Sequence, residues 1–261
     1  VGVNPATWDG NLSNLSTNLS MLREMGCLTL RWPGGSTSDN YHWQNDPTGN
    51  TRFRNIATNL GAQVFITVNY GSGTAAEAAA WVRSANITNN CKFKYWEIGN
   101  ECYGPWENDT NVPAHDPYTY AVRATNYIAL MKAADPTIKV GVVVITGEDS
   151  YVNNMTHPAT NSSNGSVHYG WTPVMLSTLK KLGVTPDFAV LHVYPQYSDP
   201  AQVTNVVAVS DPILLQASTG WARDAADLRQ QINTYFGPGG ANIELVCTET
   251  EREPSSAFGI Q

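Results

Sequence analysis

A parallel α/β sheet bent into a barrel is the fold this sequence predicts, and three observations predict it. Short apolar runs of strand length alternate with stretches whose apolar residues recur at helical spacing. Polar side chains gather where strand after strand ends: Arg31, Asn69, Asn100 with Glu101, His192 with Tyr194, and Glu249. Neither a GxGxxG turn nor a P-loop follows a strand, which argues against the doubly wound sheet that is the competing architecture. A (β/α)8 barrel carries its chemistry at the C-terminal strand ends, and 261 residues can bury the core of one.

Val1–Val3 reads as the first strand. Leu12, Leu15, Leu19 and Leu22 then mark a helix that Gly26 stops. Leu28–Trp32 is the second strand and runs into the Gly/Ser-rich loop 33–38; Phe53, Ile56, Ala57 and Leu60 predict a helix ended by Gly61. Val64–Asn69 is the third strand. Thr74 caps a helix through Ala85, with Glu77 placed to close a capping box. The fourth strand begins near Lys94 and breaks off at Asn100-Glu101, before an aromatic loop that holds Tyr103 and Trp106. A helix over Pro117–Ala134, a fifth strand over Val140–Ile145, and an aperiodic loop from Thr146 to about Tyr169 follow. Helix Val174–Leu182, strand Phe188–Tyr194, helix Trp221–Phe236 and strand Ile243–Glu249 complete seven strands.

No eighth strand is visible after Glu249. An open barrel exposes two apolar edges with unpaired backbone groups, so the eighth β/α unit is expected outside this chain. A second polypeptide left by cleavage after Gln261, or a continuation, would supply it. Residues 1–261 are thus expected to be one catalytic barrel, strands one to seven, with a possible β-sandwich domain beyond. The start on Val1, already strand-like, places the natural N terminus further upstream.

The net charge of −7 leaves no basic stripe for phosphates, so nucleic acid is not expected as a partner. No apolar run reaches the roughly 20 residues of a membrane span. Cys27, Cys91, Cys102 and Cys247 are too dispersed for a zinc ribbon and read as buried free thiols, with a bridge open if the protein is secreted. Sequons at Asn86, Asn108, Asn154, Asn161 and Asn164 support a secreted or extracellular location.

Strand ends distant in sequence converge on one barrel mouth, so Glu101 and Glu249 can flank one glycosidic bond. Retaining hydrolysis needs such a pair, about 5–5.5 Å apart. Burial among aromatics is expected to raise Glu101, as an acid requires. Tyr194 and Arg31 are placed to donate to Glu249 and keep it ionised, and Asn100 to hydrogen-bond a sugar hydroxyl beside the reacting carbon. His192 shares a strand face with Tyr194. Alternatives stand beside these roles: Arg31 pairing with Glu97 inside the barrel, His192 as a core residue, and Glu251 or Glu253 in place of Glu249. Trp32, Tyr70, Tyr103 and Trp106 lie on loops after strands two to four and are candidates to line the sugar site, Trp32 being equally suited to the barrel wall.

Leu30-Arg31-Trp32-Pro33-Gly34-Gly35, Tyr41-His42-Trp43, and Gly99-Asn100-Glu101 followed by Gly104-Pro105-Trp106 resemble the retaining clan of (β/α)8-barrel glycoside hydrolases. Within it they are most similar to α-L-arabinofuranosidases and the endoglucanases grouped with them. The resemblance implies Glu101 as acid/base and Glu249 as nucleophile, acting on plant cell-wall polysaccharide or oligosaccharide without metal or organic cofactor. Two departures stand out: Thr248-Glu249-Thr250 replaces the clan's usual Asp-Glu-Trp, and the aromatic of an eighth strand is missing. Endo-β-1,4-glucanase, xylanase or β-glycosidase activity is the alternative on the same barrel. A carbohydrate-binding barrel without catalysis is the alternative of another class.

Overall fold

The computed structural model describes residues 2–5, 15–194 and 218–250. Its main sheet contains β1 (Gly2–Val3), β2 (Thr29–Trp32), β3 (Gln63–Val68), β4 (Tyr95–Ile98), β5 (Lys139–Val143), β8 (Phe188–His192) and β9 (Glu244–Glu249). All neighbours pair in parallel, in the order β1-β2-β3-β4-β5-β8-β9. Helices α1 (Leu15–Glu24), α2 (Pro47–Leu60), α3 (Ala75–Val82), α4 (Pro117–Ala134), α5 (Trp171–Lys181) and α6 (Ser218–Gln231) occupy the crossovers. The strand–helix alternation, and seven strands of the expected barrel, are therefore present. Among the described residues β1 and β9 do not pair with each other. A cavity of about 540 Å³ is lined by Gly2 and Val3 on one edge and by Cys247 to Thr250 on the other. The expected eighth unit concerns segments outside the described residues, as does the position of Glu251 and Glu253.

Local chemistry sets the element boundaries. Helix α2 starts six residues before the first apolar position, because Asp46 accepts a hydrogen bond from Gly49 N and Pro47 takes the first turn. Thr74 caps α3 by accepting from Glu77 N. The other half of the expected capping box is not made, since the Glu77 carboxylate binds His42 instead (3.0 Å). Asp116 caps α4. Inside the expected loop after β5, a short antiparallel pair forms from β6 (Ala159–Thr160) and β7 (Val167–His168). Glu148 anchors that loop by accepting from Asn161 and Tyr235.

The core lies on both sides of β2 to β5. Trp32, Trp96, Trp171, Tyr120, Phe53 and Ile66 are fully buried. Each large aliphatic or Phe side chain removed from water contributes roughly 1.5–3 kcal/mol. All four cysteines are free, and only Cys27 and Cys102 are buried, so the expectation of buried thiols does not hold for Cys91 and Cys247. Two of the sequons are structural. Asn86 is buried and hydrogen-bonded to Phe93 and Asp135, and Asn161 is buried and bound to Glu148.

Candidate active site

The sharp end of β4 is a backbone device. Gly99 has φ +74°, and a Cβ there would lie 2.3 Å from Cys102 Sγ and 2.8 Å from Tyr70 Cβ. Glu101 follows with φ +39°, a conformation that costs a non-glycine residue energy and is concentrated at functional sites. The turn lifts the Glu101 carboxylate into a cleft of about 670 Å³ at the C-terminal strand ends. Asp39, buried in the loop after β2, accepts from Asn100 N and Gly71 N (both 3.2 Å) and ties this turn to its neighbours.

Glu249 arrives from the opposite side. A register irregularity between Leu191 and His192 pairs His192 with Glu249. Arg31 then joins the strand ends through three donors: Nε to Glu97 Oε2 (2.9 Å), Nη1 to Glu249 Oε2 (2.9 Å) and Nη2 to Asn100 Oδ1 (2.8 Å). Tyr194 OH also donates to Glu249, at Oε1. Burial opposes the charge on Arg31, but Glu97 and Glu249 outweigh it and hold the guanidinium above its ordinary value. Both readings of Arg31 are thus realised at once: it pairs with Glu97 inside the barrel and with Glu249 at the mouth.

His192 Nδ1 lies 3.0 Å from Glu101 Oε1 and 3.7 Å from Glu249 Oε2. The gap between those two oxygens cannot exceed the sum of these lengths. That bound is compatible with the ~5–5.5 Å separation of a retaining pair. The His192 side chain is almost fully buried, with Nε2 on Thr248 Oγ1 (3.2 Å).

Glu101 departs from expectation. Burial does push it upward, but hydrogen bonds and attraction from His192, with further donors from Trp106 Nε1 (2.9 Å) and Tyr103 OH (3.3 Å), together hold it below the usual carboxylate range. The aromatics that were expected to dry the carboxyl also carry N–H and O–H groups, and these stabilise its charged form.

Half of the chain aligns with a probable α-L-arabinofuranosidase C from Aspergillus clavatus, 27% identical over 167 residues and 32% of that protein. An intracellular exo-α-L-arabinofuranosidase from Bacteroides ovatus is 29% identical over 132 residues, 36% of this chain and 26% of its own. The chain thus spans about a third or less of the curated relatives it matches. The fold matches a family 51 α-L-arabinofuranosidase from Bifidobacterium longum over 99% of this chain and 54% of that one (TM-score 0.68, 17% identity). It also matches a Paenibacillus polymyxa xyloglucanase of glycoside hydrolase family 44 over 97% and 66% (TM-score 0.61, 12% identity). No family model matches. The chain is related to the (β/α)8 glycoside hydrolases.

In this glycoside-hydrolase relative the named residues separate into two groups. Asn100, Glu101, Tyr103, Trp106, His192, Tyr194 and Glu249 line the cleft, and Arg31 lies directly beneath it. Trp32 and Asn69 do not line it, which corrects the expectation for both. Trp32 is fully buried in the wall, stacked on Phe53 at 4.8 Å between ring centroids. Asn69 spends its side chain on its own loop, accepting from Ser72 N and Gly73 N. Tyr70 is buried against Tyr120 and Tyr127.

Sequence reasoning missed several cleft residues, among them Ser36, Glu107, Tyr151 and Asp224. Tyr151 reaches the site from the aperiodic loop and packs on Tyr103 at 4.7 Å, with no sequence signal to announce it. Glu107 had a signal, as a carboxylate directly following the Gly-Pro-Trp of the aromatic loop.

Proposed function

We propose that this chain is the barrel of a retaining glycoside hydrolase with α-L-arabinofuranosidase-type activity on plant cell-wall polysaccharide or oligosaccharide. The observation that carries this is the shared reach of His192 Nδ1 to Glu101 and Glu249, two carboxylates delivered from β4 and β9 into one cleft. Their surroundings differ as two roles require. Glu249, held by Arg31 and Tyr194, attacks the anomeric carbon and forms the glycosyl-enzyme ester. Glu101 gives a proton to the departing oxygen, then takes one from the water that hydrolyses the ester. A sugar entering the cleft displaces the Trp106 and Tyr103 donors from Glu101 and shuts out water, which raises the carboxyl into the range of an acid. Without sugar it rests as the base.

Arabinofuranoside specificity is supported by the sequence relatives, which carry that name. Completion of the barrel by an eighth β/α unit, from a continuation or a second polypeptide, and a secreted location belong to the same proposal. The natural full-length protein should hydrolyse an aryl α-L-arabinofuranoside faster than the aryl β-xyloside or β-glucoside, and the released sugar should first appear with the substrate's anomeric configuration by NMR. Preference for β-glucoside and carboxymethylcellulose would move the substrate to the endoglucanase side. First appearance of the opposite anomer would overturn the double displacement.

A further inference from the structure

Beside Glu101 and Glu249 the cleft wall holds two more carboxyls, Asp224 and Glu107; no catalytic step uses Glu107. It is 5% exposed. Its Oε1 accepts two hydrogen bonds, from Ser36 Oγ (2.9 Å) and Asn100 Nδ2 (2.8 Å). Its Oε2 is buried and has no hydrogen-bond partner. An ionised carboxylate with one oxygen stranded this way is costly, whereas a neutral carboxyl that accepts twice at Oε1 and keeps its proton on Oε2 is much less so. Burial pushes Glu107 upward, Ser36 and Asn100 partly offset this, and the charges of Glu101 and Glu249 add to the rise. Burial, and after it negative charge at Glu107, pushes the neighbouring buried Asp39 upward as well.

The bond to Asn100 has a definite consequence. Arg31 Nη2 can only donate, so it selects Oδ1 of Asn100; Glu107 Oε1 accepts, so it selects Nδ2. The amide is thereby fixed between two groups that permit one orientation, which leaves its second N–H for the cleft. We propose that Glu107 is a positioning residue: by holding the Asn100 amide, it aims that N–H at the sugar hydroxyl beside the reacting carbon. The proposal rests on the glycosidase reading above. It also accounts for a buried carboxyl in the wall of a cleft that already holds Glu101, Glu249 and Asp224. A neutral side chain of this length fixes the amide without adding another full charge next to Glu249.

Hydrogen bonds to that hydroxyl strengthen in the oxocarbenium-like transition state, so a misaimed amide should lower kcat more than it raises KM. The test compares two substrates, an aryl arabinofuranoside and its analogue lacking the hydroxyl next to the anomeric carbon. Glu107→Ala should lower kcat on the parent roughly 10- to 100-fold, with KM changed less than about threefold. On the deoxy analogue the same variant should lose less than about threefold, because the bond it aims no longer exists. Glu107→Gln, whose amide oxygen accepts the same two bonds, should recover most of the loss. Should Glu107→Ala not fold, Ser36→Ala with Glu107→Gln tests the same bonds, the first expected to lose severalfold on the parent alone. Equal losses on both substrates, or no loss on either, overturn the positioning role. If the unmutated protein turns over no aryl glycoside, the glycosidase reading falls and takes this role with it. If it turns over the parent and the analogue difference is absent, this role alone falls.

Discussion

The two sides of the cleft are built in different ways. On one side, β4 is central in the sheet, paired with β3 and β5, and its last three residues are buried. Glu101 leaves it through a strained turn, and two of its donors, Tyr103 and Trp106, come from the same short loop. On the other side, β9 is an edge strand of the described sheet, half-buried along its length. Glu249 depends on Arg31 and Tyr194, which lie 218 and 55 residues away along the chain. The acid side is thus encoded mostly by residues close in the chain, with His192 of β8 as its distant partner. The nucleophile side is assembled by tertiary contacts and gains its geometry only when β2, β8 and β9 are all in register.

The largest expected effect falls on the assembled side. Glu249→Ala should reduce kcat/KM on every aryl glycoside by roughly 10⁴-fold or more, with thermal stability little changed. Glu101→Ala should divide substrates: about 10²- to 10⁴-fold losses with poor leaving groups, far smaller ones with activated aryl groups, and partial rescue of the latter by azide. Equal losses on both classes would remove the acid/base assignment and, with it, the distinction between the two sides.

The legibility of the sequence follows the same division. The strand–helix alternation, the break at Gly99-Asn100-Glu101 and the aromatic loop were readable, because each is encoded by residues close together in the chain. Asn69 and Trp32 look the same in sequence as Asn100 and Trp106. Only the loop closure at Ser72 and Gly73, and the stack on Phe53, turn them inward. Glu101's protonation was misread for a related reason. The sequence showed burying rings but not that Trp106 Nε1, Tyr103 OH and His192 Nδ1 all converge on one carboxylate. The reach of Tyr151 from the loop after β5, and the pairing of Glu107 with Asn100 and Ser36, depend on contacts that have no period.

A smaller effect sharpens the comparison through stability. Arg31→Leu should cost about 3–5 kcal/mol in urea unfolding, because Glu97, fully buried, loses its cationic partner. Tyr194→Phe should leave stability nearly intact and lower kcat severalfold. On the acid side, Trp106→Phe removes a donor that holds Glu101 below its usual range. The alkaline limb of kcat/KM, which reports the free enzyme's acid, should therefore move to higher pH. A shift downward would contradict the donor argument.

The smallest effect concerns Asp39. Burial, with Glu107 second, pushes this carboxyl well above its ordinary value, against the backbone donors of Asn100, Gly71 and Tyr70. A raised carboxyl means that the folded state binds the proton more tightly. Its contribution is therefore full at pH below the unfolded value near 3.9 and is lost as pH rises towards the folded value. Asp39→Asn should accordingly flatten the decline of Tm with rising pH above about 4, seen by scanning calorimetry. A steeper decline would show that the backbone hydrogen bonds outweigh burial.

The central claim is that the edge-strand carboxylate, assembled by Arg31 and Tyr194, is the one that becomes covalently attached to sugar. An aryl 2-deoxy-2-fluoro arabinofuranoside, or the glucoside if that is the better substrate, slows hydrolysis of the ester enough for it to accumulate. Peptide mass spectrometry of the natural full-length protein after such treatment should find one fluorosugar per chain, on Glu249. Attachment to Glu101 or Glu251, or no adduct from a protein that turns over the parent substrate, would contradict the account.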